Sequence, residues 1–169
     1  VEDNVNWLVK EEPESYPFDA LLKDGATDWS GVKNPLAQRH LQSMHEGDRV
    51  FYYHTGAERA IVGTARAAGA PFPDPADPQG RRVAVRLVPV ARLPRPVTLD
   101  EIKRQPAFSD HPLVRIGRLS VMPIDDRQWT LVERLAAAGP VAPTEGRGGA
   151  AGRTRVAAKH RARRPQRKA

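Results

Sequence analysis

The sequence predicts an α+β domain in which a small, closed or nearly closed sheet is wrapped by helices. The first observation behind this is the stretch 47–67, GDRVFYYHTGAERAIVGTARA, in which an aromatic and β-branched run at 50–53 and an apolar run at 60–63 flank a polar segment containing Gly56. That is the pattern of a β-hairpin. Both runs are nearly continuous in apolar character, so the sheet they enter is covered on both faces. The second observation is that short strand-like runs are interspersed with capped segments of helical spacing.

Taken in order, Trp7, Leu8 and Val9 form the first strand, ended by Glu12 and Pro13. The segment 18–23 (FDALLK) follows Pro17, spaces Phe18, Leu21 and Leu22 as a helix does, and stops at Gly25. Trp29, Gly31 and Asn34 then lie in turn chemistry, with Asn34 as N-cap and Pro35 as the first residue of a helix running through Arg39, His40, Leu41 and Met44. After the hairpin, four prolines in 70–80 define a loop, and 82–90 (RVAVRLVPV) alternates as a half-buried strand. Pro94 and Pro96 are expected to break the chain before a helix at 98–105, where Thr98 and Glu101 have capping-box spacing. Residues 110–117 read as irregular, 118–122 (RLSVM) as a last strand, and 124–138 as a helix capped by Asp125 or Asp126 with Trp129, Val132, Leu135 and Ala136 on its inner face.

Charge divides the chain. Of 27 Lys and Arg, nine lie beyond residue 140, with one of the 20 acidic residues; the preceding part carries 18 basic and 19 acidic groups and is about neutral. The reading is therefore a folded domain over 1–139 and a basic tail over 140–169. The tail consists largely of Ala, Gly, Pro, Arg and Lys and has little apolar surface to offset its ordering entropy, so it is expected to be disordered. Arg147, Arg153, Arg155, Lys159, Arg161, Arg163, Arg164, Arg167 and Lys168 are candidate contacts to a nucleic-acid backbone, because dense charge of one sign attracts phosphate irrespective of sequence.

With no cysteine, disulfides, thiolate chemistry and Cys-type zinc sites are excluded. No apolar run approaches the ~20 residues of a membrane span, and the polar, acidic start is unlike a signal peptide. The expectation is a monomer of the cytoplasm, or of the nucleus in a eukaryote. Neither a GxSxG elbow, an HExxH helix, a GxxxxGK loop nor a GxGxxG turn occurs. His40 and His45 are five apart and do not share a helix face as i, i+4 ligands would.

WLVKEEP, DWSGVKN, GDRVFYYHTG, AIVGTARA, PVTLDEIK and RLSVMPI followed by Trp129 together resemble the EVE domain of the PUA-like superfamily. The likeness runs from about Asn6 to Leu135, and six segments in the family's order make it specific. It implies a PUA-like mixed β pseudo-barrel flanked by helices, related to the YTH readers of methylated adenine. It also implies a non-enzymatic reader of modified cytosine or adenine in DNA or RNA, with no cofactor and no metal. The base-binding positions it implies are Trp29, Asn34, His54 and Thr55, with Ser15, Lys10 and Ser120 as neighbours. Two departures alter the pocket's polarity: Pro35 stands where the family has an aromatic residue, and Ile116 and Gly117 replace two polar side chains.

A reader suits these residue types. An extruded base offers two π-faces and one hydrogen-bonding edge, so an aromatic wall supplies ~1–3 kcal/mol of stacking while amides and hydroxyls read the edge. The competing classes are an ASCH-like amidohydrolase on a modified nucleoside, with Lys10, Thr55 and Glu12 as its groups, and a small-molecule sensor. Truncation after Gly139 is expected to leave the melting temperature of the domain unchanged, as differential scanning fluorimetry would show, because the tail has almost no apolar side chains to bury.

Overall fold

The computed structural model describes residues 5–138. Strand β1 (Asn6–Glu11) lies parallel to β3 (Arg49–His54), and β3 forms the expected antiparallel hairpin with β4 (Ala60–Ala67). The remaining strands are β2 (Thr27–Trp29), β5 (Phe72–Pro73), β6 (Val83–Thr98) and β7 (Val121–Ile124). The sheet order is β2-β6-β4-β3-β1-β7, with β5 added to β6. The sheet is therefore mixed, and it curls into a half-barrel flanked by helices, of the PUA-like α+β type.

Helix α2 (Pro35–Gln42) closes the structure where strand pairing does not. It packs on β7 at one end of the sheet and on β6 toward the other, with Ala37, Gln38 and Leu41 buried. Gln38 acts as a staple: its amide donates to the carbonyls of Val32 (3.0 Å) and Val83 (3.1 Å) and accepts the Val83 N–H (3.0 Å). On the outer face, helix α5 (Asp126–Ala138) stacks Trp129 on Phe51, with ring centroids 3.6 Å apart. No helix among the described residues is long and apolar enough to cross a membrane.

Most helix ends fall where their caps predict. Helix α1 (Phe18–Asp24) ends at Gly25 in the left-handed region (φ 81°), the Asn34 side chain accepts the Ala37 N–H at 2.9 Å, and α3 (Leu99–Lys103) has the Thr98/Glu101 capping box. Asp125 caps α5 through a reciprocal pair with Gln128.

Four expectations are corrected. Trp29 is not in a turn but ends β2, opposite Val85, and a three-residue strand held by a distant partner has no local signature. Strand β6 does not break at Pro94 and Pro96. Its pairing with β4 jumps from Gly63↔Arg92 to Ile61↔Val97, so these prolines lie in a bulge where the missing N–H interrupts no ladder. The last strand is 121–124 rather than 118–122, and Pro123 is tolerated because β7 is an edge. The stretch expected to be irregular contains a short helix, α4 (Pro112–Arg115), begun by the His111 ring accepting the Leu113 N–H at 3.1 Å.

Gly63 is fixed by packing. A Cβ added there would lie 2.4 Å from two atoms of the Phe18 ring, which crosses β4 at this point. Gly63→Ala is expected to displace that ring and lower stability by ~1–3 kcal/mol in urea unfolding, whereas Gly69→Ala, with open space around it, should change little.

Candidate functional site

At the carboxyl end of β3, the bulge of β6, the start of α1 and the β3–β4 loop enclose an open cavity of about 450 Å³. Phe18, Val62, Leu93 and Pro96 make its apolar wall, and His54, Glu58, Asp19 and Arg92 its polar rim. The β6 bulge is what makes room: Leu93 and Pro96 belong to the stretch displaced from β4 opposite Val62. Arg92 and Asp19 form an ion pair that links β6 to α1 at this rim. Both are well exposed, and such a pair is easily exchanged for another anion or cation.

His54 is 7% exposed and uses both ring nitrogens. Nε2 accepts the backbone N–H of Phe18 at 3.0 Å, satisfying a donor at the start of α1. Nδ1 therefore carries the proton and donates it to Glu58 Oε1 at 2.8 Å. The imidazole fixes the position of Phe18 and turns one edge toward the cavity.

Behind this wall Tyr52 is the hub. Its ring centroid lies 5.3 Å from Phe18, 5.6 Å from Trp29 and 5.8 Å from His54, the last two edge-on, and its hydroxyl donates to the Tyr16 carbonyl at 2.5 Å. Trp29 is only 2% exposed and does not line the cavity.

A second cluster occupies the opposite face, because Tyr53 alternates with Tyr52 and His54 along β3. Lys10 Nζ donates to the Gly117 carbonyl at 2.8 Å and sits 5.8 Å from the Tyr53 ring centroid. Burial lowers the Lys10 pKa and pushes the Tyr53 phenol up to about 12. Ser120 accepts the Lys10 N–H through its carbonyl, while its Oγ is buried with no hydrogen-bond partner.

The seven candidate base-binding positions thus divide. Trp29 and His54 meet around Tyr52; Lys10 and Ser120 meet on the other face. Thr55 extends the β1–β3 ladder through its N–H to the Glu11 carbonyl (3.0 Å), Ser15 closes a turn onto the Glu12 carbonyl (2.9 Å), and Asn34 caps α2. The nine tail cations lie outside the described residues. Phe18, Val62, Leu93, Arg92 and Glu58 were not foreseen, although Pro94 and Pro96, read as a break, were the signal of the bulge. Among the described residues no cluster of His, Asp or Glu is arranged to hold a metal.

A curled mixed half-barrel with its seam closed by a helix defines a PUA-like domain. An ASCH protein from Zymomonas mobilis shares this fold, with a TM-score of 0.51 over 79% of the chain at 14% identity. The EVE domain family model matches residues 5–135, and the chain belongs to that family. It is 36% identical to a solved protein of Rhodopseudomonas palustris, with a TM-score of 0.76, covering 81% of this chain and 96% of that one. Thymocyte nuclear protein 1 of Danio rerio is 25% identical over 80% of this chain and 73% of its own length. The human THYN1 protein, solved in complex with DNA containing 5-methylcytosine, has a TM-score of 0.75 at 24% identity, covering 80% of this chain and 99% of that one.

His54→Leu is expected to strand the Phe18 N–H and lower stability by ~1–3 kcal/mol in urea unfolding. His54→Asn, if its shorter side chain reaches that N–H, should recover part of the loss.

Proposed function

We propose that this EVE domain is a non-enzymatic reader of modified bases, holding an extruded cytosine or adenine of DNA or RNA at the strand-end site around Tyr52. The observation that carries this reading is the 450 Å³ cavity, which falls in the ~300–1,000 Å³ range of small-ligand pockets and pairs an apolar wall with a few fixed polar groups. Phe18, 1% exposed, backs the apolar wall, Val62 and Leu93 suit an added methyl group, and His54, Glu58 and Arg92 meet the polar edge and the adjoining phosphate. Trp29 holds the wall from behind through Tyr52. The DNA complex of the human relative supports a nucleic-acid partner.

The groups an amidohydrolase would use do not converge on this cavity. Lys10 is engaged with Gly117 on the other face, and neither Glu12 nor Thr55 lines it. The nine cations from Arg147 to Lys168 add affinity that is independent of the base and raise its effective concentration at the pocket.

Leu93→Trp, which fills the cavity from its open side, is expected to abolish the preference for a 5-methylcytosine or N6-methyladenine oligonucleotide over its unmodified twin in fluorescence anisotropy. Binding to plain duplex should persist. Trp29→Ala should lower stability by ~3–5 kcal/mol, as a buried aromatic does, and Trp29→Phe isolates any loss of preference from that effect. Retained discrimination in a folded Leu93→Trp protein would remove the cavity from the mechanism.

A further inference from the structure

A second cleft, of about 430 Å³, lies on the side of the domain where α2 begins. Lys33, Gln38 and Gln42 line it from the α2 side, and Gln79, Arg81 and Arg82 from the loop that enters β6. Lys33, Arg81 and Arg82 form no ion pair among the described residues, although Arg86, only four residues on, is paired with Asp28. Asp77, the one acidic residue lining the cleft, is turned onto its own loop. Its carboxylate accepts the N–H groups of Arg82 (2.8 Å), Arg81 (2.8 Å) and Gln79 (3.1 Å), and these bonds, led by that of Arg82 and joined by the nearby Arg82 charge, hold its carboxyl below the usual range. Three cations therefore face one carboxylate already engaged by three donors.

The cleft is rigidly built. Asp74, 3% exposed, accepts the Gly31 N–H at 2.7 Å and the Ala76 N–H at 2.8 Å, and its own N–H donates to the Arg82 carbonyl at 3.0 Å. This carboxylate joins the turn between Trp29 and Lys33 to the loop bearing Arg81 and Arg82. Gln38 holds the start of β6 against α2 from beneath. The loop bearing Arg81 and Arg82 is thus held by its own hydrogen bonds on the lining of one cleft with Lys33.

From this we infer that Lys33, Arg81 and Arg82 form a docking surface for the phosphodiester backbone of a nucleic-acid strand, with Gln42 and Gln79 as neutral donors beside them. The inference rests on the nucleic-acid reading above and adds a binding surface within the folded domain, separate from the tail. Backbone contacts of this kind position a strand, and base contacts give it specificity.

The test is the triple variant Lys33→Gln/Arg81→Gln/Arg82→Gln in the full chain, titrated with labelled oligonucleotides with and without 5-methylcytosine across a range of KCl concentrations. Neutralising each phosphate contributes about 0.7–0.9 to the slope of log K against log salt, so the slope should fall by about 2 to 3 while the ratio between the two oligonucleotides is unchanged. Gln79→Lys provides the complementary measurement, with an expected rise of about 0.7–0.9, and it carries the test if the triple variant fails to fold. A folded triple variant with the wild-type slope, or a Gln79→Lys protein with no increase, overturns the cleft and leaves the base-reading function standing. A wild-type protein with no preference for the modified oligonucleotide overturns that function, while the slopes still decide the cleft.

Discussion

The hydroxyl of Tyr52 is the group on which the rest of this structure depends. A phenol oxygen enclosed by apolar side chains must find a partner, because an unsatisfied one would lose ~1–3 kcal/mol, and here the partner is the Tyr16 carbonyl. That carbonyl lies just before α1. The bond therefore sets the path by which the chain leaves β1 and begins the helix, and Phe18 follows directly into its place over Gly63. His54, two residues beyond Tyr52 on the same face, secures the arrangement by accepting the Phe18 N–H. Trp29 completes it edge-on. The cavity is the space this aromatic group leaves beneath the β6 bulge, so its wall is a consequence of core packing and not of a mobile loop.

How much of this was legible follows from the range of the forces involved. Asn34-Pro35, the Thr98/Glu101 pair and Gly25 act within a few residues of themselves, and the helices they bound were readable for that reason. The β3–β4 hairpin was legible because its strands are apolar on both faces and separated by a polar turn. Strand β2 was not, since Thr27 and Trp29 become a strand only through Leu87 and Val85, some 60 residues away. The same holds for the prolines of β6. A proline contradicts a strand only where its N–H would be needed, and the displaced ladder between Arg92 and Val97 removes that need.

Legibility of the site was divided in the same way. The segments that resemble the EVE domain picked out His54 and Trp29, and the fold does bring them onto one tyrosine. They could not show that Lys10 and Ser120 face the other way, because that depends on which alternate residues of β1 and β3 turn inward. Nor could they show Arg92 or Leu93, which enter the cavity through a bulge with no local signature beyond its prolines. Asn34 was legible as a cap, and its side-chain oxygen serves that purpose.

Two engaged carboxylates account for where cationic surface is available. Asp74 and Asp77 are four and seven residues past Ala70, in the proline-rich stretch, and each is satisfied by backbone N–H groups instead of by arginine. Asp74 is buried and Asp77 stays at the cleft, where the Arg82 charge is near it, but both spend their oxygens on backbone N–H groups that shape the loop. Neither forms a salt bridge with Arg81 or Arg82 that an incoming phosphate would have to break. The geometry that binds Gly31 to Asp74 also limits how far the turn after β2 can move relative to the cleft.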